Sequence, residues 1–143
     1  MTQQTPLGGD SQVVDFTPDG SNGSVRLVAN GRRACKFILI EYRDIVQMVF
    51  GDVSAYKYHA NLLHEFCVRN GIASNWVHKP DLLEPLDSGI DVLGGGFLDL
   101  NRAEKVAVFS GASKAYGACR WHQLEAILTA SPAFAGMAIK IDR

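Results

Sequence analysis

The chain has 143 residues, of which 47% are hydrophobic and 20% are charged, and its formal net charge is −1. Length and composition are ordinary for one globular domain with a buried core, so we expect a single compact unit. A monomer is our separate expectation, which length and composition do not decide. The balanced charge argues against nucleic acid and acidic membranes as partners, because proteins that bind them normally carry a basic excess.

The first part of the chain predicts a tail. Residues 1–24 are rich in Gln, Thr, Gly, Ser and Asp, and only VVDF at 13–16 offers apolar side chains. Such a composition is typical of a flexible N-terminal segment. We therefore expect a flexible tail over residues 1–24 and a folded domain over residues 25–143.

Three strands are predicted next. SVRLVAN, starting at Ser24, alternates in hydropathy, and Asn30 and Gly31 predict a turn after it. CKFILIEY, residues 35–42, is a β-branched and aromatic run typical of a buried strand. IVQMVF, residues 45–50, predicts a further strand.

An amphipathic helix follows. Its plausible N-cap is Ser54, or Asp52 just before it, and Gly71 is its expected C′ residue. Helical spacing separates an apolar face from a polar face, and the polar face carries Lys57, Asn61 and His64. The face expected to pack on the sheet consists of Ala55, His59, Leu62, Leu63 and Phe66.

The second half of the chain alternates between strand patterns and one helix. IASNWVHK predicts a short strand, PDLLEPLDSG a connection, IDVLGGGFLDL a strand or turn interrupted by three glycines, and VAVFSGA a strand. A second helix is expected from near Gly117 to about Ala130, and MAIKIDR supplies a last strand. Strands interspersed with two helices predict an α/β (α+β) sandwich.

The segment VAVFSGASKAYGACRW, residues 106–121, carries the strongest functional signal. An apolar run breaks into a turn of Gly, Ser and Ala and then starts a helix. Such turns direct several backbone N–H groups at one spot, where proteins commonly hold phosphate. The alternative is a plain strand-to-helix turn. The segment lacks the GK[ST] ending of a Walker A loop, so nucleotide hydrolysis is disfavoured.

His59 differs from the other three histidines. It occupies the apolar stripe near the start of its helix, where the positive end of the helix dipole favours a neutral imidazole. His64, His78 and His122 stand at positions typical of solvated side chains. A catalytic His59 competes with the alternative of a hydrogen-bonded core histidine.

Sequence motifs of disulfide-bonded, metal-binding and other catalytic proteins are absent. The cysteines, Cys35, Cys67 and Cys119, are odd in number, far apart and outside any CxxC pair, so neither disulfides nor a zinc site is indicated. No cysteine is followed by the arginine of a thiolate phosphatase loop, and no zincin pair or GxSxG elbow occurs. With no leader pattern and no apolar run near the roughly 20 residues of a membrane span, we expect a cytoplasmic protein.

Three motifs together resemble a known family. YHANLLHEF at 58–66, LGGG at 93–96 and SKAYG at 113–117 are similar, in order and separation, to motifs of the Janus/Ocnus family. KFILI at 36–40 also resembles the lysine-led strand of that family. The likeness covers residues 35–143, about three quarters of the chain.

The resemblance implies a small mixed β-sheet flanked by two α-helices and removal of phosphate from phosphohistidine in proteins or peptides, without a metal or other cofactor. His59 matches the essential histidine of the family, and Lys36 its substrate-contacting lysine. Ser113 and Ala115 match the positions whose backbone and hydroxyl hold the phosphate. A neutral His59 would act either as nucleophile or as general base, and the sequence does not choose between them.

Two positions depart from the family pattern. Phe97 stands where the family has an arginine directly after the triple glycine, and a basic residue is replaced near Phe50 and Gly51. Losing a charge-assisted hydrogen bond of about 1.5–3 kcal/mol weakens anion binding. Lys114 in the turn is the best placed substitute, with Lys57 and Arg102 as alternatives.

The triple glycine and the two departures leave further interpretations open. Gly96 is expected near the phosphate, because glycine permits close backbone approach to a ligand, although a bulge or tight bend is the alternative. A non-catalytic phosphopeptide-binding regulator on the same scaffold and a broader phosphoamidase acting on phospholysine are the competing functions.

Overall fold

The computed structural model describes residues 13–16, 32–101 and 103–142. Eight strands and two α-helices lie within these residues, and a short 3₁₀ turn, Pro132–Phe134, follows the second helix. No helix in this described part is long and apolar enough to cross a bilayer. The elements are β1 (Val13–Asp15), β2 (Arg32–Tyr42), β3 (Ile45–Asp52), α1 (His59–Arg69), β4 (Ser74–His78), β5 (Leu82–Pro85), β6 (Ile90–Asn101), β7 (Val106–Ser110), α2 (Trp121–Ala130) and β8 (Ala138–Asp142).

Six of the strands form one mixed sheet in the order β1-β3-β2-β6-β7-β8. The four central strands pair antiparallel, whereas β1 and β8 run parallel to their neighbours at the two edges. Strands β4 and β5 form a separate antiparallel pair. The α/β (α+β) class predicted from the sequence is confirmed, as a strand-rich mixed sheet with two helices in one domain.

The sheet is buried on both faces. Because successive residues of a strand point to opposite sides, Phe37 and Leu39 pack in the layer of α2, while Ile38 and Ile40 pack in the layer of α1. The continuous apolar run of β2 is therefore a strand covered twice. This arrangement explains why CKFILIEY shows no alternation.

The first helix begins later than predicted. It starts at His59 rather than Ser54, and Asp52 ends β3 instead of capping a helix. The amides of Ala55 and Tyr56 both donate to the Asp52 carbonyl in a turn, which leaves Ala55 exposed and outside the helix. The observed N-cap is Tyr58, whose amide donates to Asn61 Oδ1 in the first turn of the helix at 2.9 Å.

The end of α1 agrees with the prediction. The helix stops at Arg69, and Gly71 adopts a left-handed φ of +67°. That conformation favours glycine at the position after a helix. The buried face consists, as predicted, of His59, Leu62, Leu63 and Phe66, with Ala60 and Cys67 added.

Two predictions for the second half were wrong in detail. The second helix starts at Trp121, not near Gly117, because residues 113–118 pair with each other and with β6 before the chain turns helical. The predicted connection PDLLEPLDSG contains β5. For IDVLGGGFLDL, where strand and turn were the two alternatives, the strand is found, and glycines 94–96 lie inside β6.

The predicted tail contains an ordered strand. Val13–Asp15 pair with β3, and Asp15 makes a bidentate ion pair with buried Arg33, with N–O distances of 2.8 and 3.1 Å. Arg33 also donates to Asp52 at 2.7 Å, and the Phe16 carbonyl accepts from Tyr56 at 2.8 Å. The remainder of the tail, the predicted strand from Ser24 and the Asn30–Gly31 turn lie outside the described residues. Residues 13–16 thus anchor the segment that leads into α1.

Candidate active site

A cleft of about 250 Å³ opens beside the start of α1. It brings together five of the six residues that the sequence singled out, namely Lys36, His59, Ser113, Lys114 and Ala115, from three separate parts of the chain. Gly96 is not part of its lining. The full lining is Lys36, Lys57, Tyr58, His59, Asp81, Phe97, Ala112, Ser113, Lys114 and Ala115.

A larger groove of about 760 Å³ lies on the α2 side of the sheet. Its lining is mostly apolar, and its polar members, Glu125, Thr129 and Ser131, include no histidine, lysine or cysteine. A site for chemistry needs a few convergent polar groups, which the smaller cleft has. We therefore place the candidate active site in the smaller cleft.

His59 is the first residue of α1 and is 6% exposed. Its Nε2 lies 2.8 Å from the Gly96 carbonyl oxygen. Because a carbonyl only accepts, Nε2 must carry the hydrogen, and the neutral ring then keeps its lone pair on Nδ1. Cδ2 faces Gly95, and Nδ1 lies on the opposite edge of the ring. The Gly96 carbonyl therefore orients the His59 ring.

The surroundings of His59 keep its ring neutral. Burial lowers its pKa below the ordinary value of 6.5; the hydrogen bond to Gly96 opposes this, and the nearby charge of Lys36 adds to the lowering. Its place at the positive end of α1 acts in the same direction. A neutral imidazole with a free lone pair can accept a proton or attack phosphorus.

We predict that NMR titration finds His59 as the Nε2–H tautomer with a pKa below 6.5. The unfolded chain takes up this proton at the ordinary pKa while the folded chain resists it, so lowering the pH below about 6.5 should favour unfolding through this group. Long-range ¹H–¹⁵N spectra report the tautomer and the titration together. A pKa above 6.5 or an Nδ1–H tautomer would contradict this assignment.

The turn at 113–117 closes on itself and on β6. The Gly117 amide donates to the Ser113 carbonyl at 2.8 Å, and the Ser113 amide is shared between the carbonyls of Gly117 and Gly95. Within the described part of the chain, the amides of Lys114 and Ala115 donate to no acceptor. Both residues line the same cleft as His59, and two adjacent N–H groups without an internal acceptor are suited to holding an anion; we call this pair of amides the cradle.

Ser113 has a hydroxyl hydrogen free to donate, but its amide is already hydrogen-bonded. Its Oγ accepts a hydrogen bond from the Tyr116 amide at 3.0 Å, which leaves the hydroxyl hydrogen to be donated elsewhere. Its amide, by contrast, is already used within the turn. Among the donors of this turn, the Ser113 hydroxyl and the amides of Lys114 and Ala115 therefore have no acceptor within the described residues, whereas the Ser113 amide does.

Tyr116 ties this turn to the β4–β5 pair. Its hydroxyl donates to the Leu83 carbonyl at 2.9 Å and accepts from the Leu83 amide at 2.8 Å. Both hydrogen bonds are partly buried, and together they satisfy one backbone position of β5 through a side chain. The cradle is thus attached both to β6 and to β5.

Three lysines surround the cleft. Lys36 is half-buried on β2, and burial lowers its pKa, whereas Lys57 and Lys114 are exposed at the rim. Arg102, considered above as a compensating cation, lies outside the described residues. Gly51 and Phe97 flank Lys36 in the sheet, so both departures noted in the sequence, at Phe97 and near Phe50 and Gly51, lie next to this lysine. Among the described residues, the positive charges at the cleft are therefore those of Lys36, Lys57 and Lys114.

The cleft also contains two residues that sequence reasoning missed. Tyr58 precedes α1, and Asp81 stands just before β5 with its carboxylate 2.9 Å from His78 Nδ1. Asp81 has a lowered pKa, chiefly through that hydrogen bond, and Lys114 is near enough to contribute. Tyr58 is the first residue of the YHANLLHEF motif, but the motif gave it no role of its own. Asp81 belongs to no motif, and packing of the β4–β5 pair against the turn brings it to the cleft.

The cysteines are unsuited to nucleophilic chemistry. All three are free and buried. Burial raises the pKa of Cys35 to about 12 and that of Cys119 to about 11. Thiols with such values are protonated near neutral pH, so they act as small packing residues.

In the described ranges, no three His, Cys, Asp or Glu side chains are grouped so as to hold a metal ion. A scan against models of known protein families and a search of curated proteins found no match.

Proposed function

We propose that this protein is a metal-independent phosphohistidine phosphatase that acts on proteins or peptides. One observation carries the proposal: the Gly96 carbonyl holds His59 with its Nδ1 lone pair free, in one cleft with a cradle of unpaired amides and Lys36. The resemblance of three motifs to the Janus/Ocnus family supports the same function. Lys36, His59, Ser113 and Ala115 are the positions that match.

The cleft offers what transfer of a phosphoryl group requires. The amides of Lys114 and Ala115, the Ser113 hydroxyl and the Lys36 ammonium would hold the three phosphoryl oxygens. Charge-assisted hydrogen bonds of this kind contribute about 1.5–3 kcal/mol each. Phosphoryl transfer depends mainly on positioning and on stabilising charge, and the P–N bond of phosphohistidine has a good leaving group.

His59 would act in one of two ways. As nucleophile, its Nδ1 forms an N–P bond while the bond from phosphorus to the substrate imidazole breaks. One water then gives a proton to the released ring and its hydroxide to phosphorus, which breaks the Nδ1–P bond and frees phosphate and His59. As general base, Nδ1 accepts the proton of the water that attacks phosphorus. An acid-labile phosphate on His59, trapped by rapid quench, distinguishes the nucleophile from the base.

The deciding experiment is hydrolysis of a phosphohistidine peptide by the wild-type protein in the presence of EDTA. We expect release of inorganic phosphate with EDTA present and no release from a phosphoserine peptide, whose leaving oxygen is far more basic. Phospholysine and phosphoramidate are compared in the same assay, since similar rates on all three would indicate a broader phosphoamidase. Absence of turnover on every P–N substrate would overturn the proposed enzyme.

A non-catalytic phosphopeptide-binding protein is the second candidate. It is favoured by Phe97 standing where a cation would strengthen anion binding and by the Asp81 carboxylate in the cleft wall. Binding of a phosphohistidine peptide without turnover would select it. For either function we expect a cytoplasmic protein, because the three cysteines are all free.

A further inference from the structure

Phe97 is a large apolar side chain that stays 40% exposed at the cleft. It lies directly opposite Lys36 in the β2–β6 ladder, so both side chains leave the same face of the sheet. The Lys36 ammonium lies 5.5 Å from the centre of the Phe97 ring. This distance is within the range of a cation–π contact.

Lys36 has few other neighbours that could hold its charge. No carboxylate of the described residues lies within ion-pair distance of it. On its other side in the sheet stands Gly51, which has no side chain. A lysine has four rotatable bonds, and fixing it requires a partner. Phe97 is the partner that the sheet register provides.

Phe97 also contacts two other parts of the cleft. Its ring meets the His59 ring edge to face, with centres 5.5 Å apart and planes at 73°. A Cβ on Gly111 would come within 2.8 Å of Phe97 Cδ2, so the glycine allows the ring to lie against the start of the phosphate turn. One aromatic ring therefore touches the lysine, the histidine and the backbone leading to the cradle.

We propose that Phe97 is a positioning residue that holds the Lys36 ammonium beside His59, so that the cation faces a bound phosphoryl group. The proposal rests on the proposed function only in taking the cleft to be an anion site. It assigns to an aromatic face the task of orienting positive charge. It also explains why a residue exposed at a polar cleft is aromatic rather than charged.

The test is a double-mutant cycle read out by the dissociation constant of inorganic phosphate, measured by calorimetry. We expect Phe97→Leu, which keeps the apolar volume but removes the π face, to weaken phosphate binding about 3- to 10-fold. Phe97→Trp should preserve binding. In a Lys36→Met background, Phe97→Leu should have no further effect, because the ring acts through the lysine. Lys57→Met is the matched control, since its effect should add to that of Phe97→Leu.

A second readout does not depend on activity. Ring currents of Phe97 should shift the Lys36 Hε resonances upfield in the wild-type protein, and Phe97→Leu should remove this shift without changing the fold. Unaltered phosphate binding in Phe97→Leu, an equal loss in the Lys36→Met background, or Lys36 signals at ordinary positions would each overturn the proposal.

The two proposals fail separately. A protein that hydrolyses phosphohistidine but is indifferent to Phe97 keeps the proposed function and loses this inference. A protein that shows the Lys36–Phe97 coupling toward phosphate but never turns over a P–N substrate keeps the inference and loses the enzyme.

Discussion

His59→Ala is expected to lower hydrolysis of a phosphohistidine peptide by about 10³-fold or more. The substitution removes the only histidine of the cleft lining, and with it the Nδ1 lone pair that would attack phosphorus or activate water. Steady-state kcat/KM with the same peptide measures the loss. Activity within a few-fold of wild type would exclude His59 from the chemistry.

Two further variants separate the chemistry of His59 from its packing. His59→Gln offers an amide N–H that can still reach the Gly96 carbonyl but has no equivalent of Nδ1, and we expect it to be as inactive as His59→Ala. His122→Ala removes an exposed histidine on α2 and should leave kcat/KM unchanged. Restored turnover in His59→Gln would indicate that the histidine only positions neighbouring groups.

Gly95→Ala is expected to destabilise the fold by about 3 kcal/mol and to lower kcat/KM about 10²-fold. A Cβ at this position would lie 2.4 Å from the Phe37 carbonyl oxygen and 3.1 Å from His59 Cδ2. The first neighbour is backbone of β2, which cannot move without disturbing the sheet. Urea unfolding and steady-state kinetics measure the two effects.

The loss of activity in Gly95→Ala has a specific structural cause. Gly95 donates to the Gly117 carbonyl at 3.0 Å and accepts from the Ser113 amide at 3.2 Å, so it joins the turn at 113–117 to β6. Movement of β6 would displace this turn and the Gly96 carbonyl that orients His59. The His59 imidazole and the cradle would then no longer keep their relative positions.

Gly89→Ala is the matched control. At Gly89 a Cβ would meet only Asp87 Oδ1, at 3.3 Å, in an exposed turn where the side chain can move. We expect a change in stability below about 0.5 kcal/mol and normal activity. A Gly95→Ala protein as stable and active as Gly89→Ala would contradict the close approach of β2, β6 and α1.

The candidate site depends on β6 more than on any other element. This strand supplies the Gly95 contacts to the turn, the Gly96 carbonyl for His59 and the Phe97 ring beneath Lys36. Three consecutive residues of β6 thus contact the turn at 113–117, His59 and Lys36, respectively. The glycines among them are needed because the neighbouring backbone lies where side chains would be.

The sequence by itself was enough to predict the elements whose partners are local or numerous. The apolar run of β2 and the apolar face of α1 both follow from periodicity, and Gly71 ends α1 because its left-handed conformation favours glycine. The unusual place of His59 on that apolar face was also visible, as was the small-residue turn at 113–117.

The tertiary structure alone decided how these pieces are joined, because hydrogen-bond partners far apart in sequence leave no periodic signal. It kept Asp52 in β3, paired with Cys35 of β2, so that α1 starts only at His59, and it moved the start of α2 to Trp121, after the 113–118 segment pairs with β6. It also selected the His59 tautomer through Gly96 and set Lys36 over Phe97. Both outcomes depend on the register of β2, β6 and α1, which no single segment encodes.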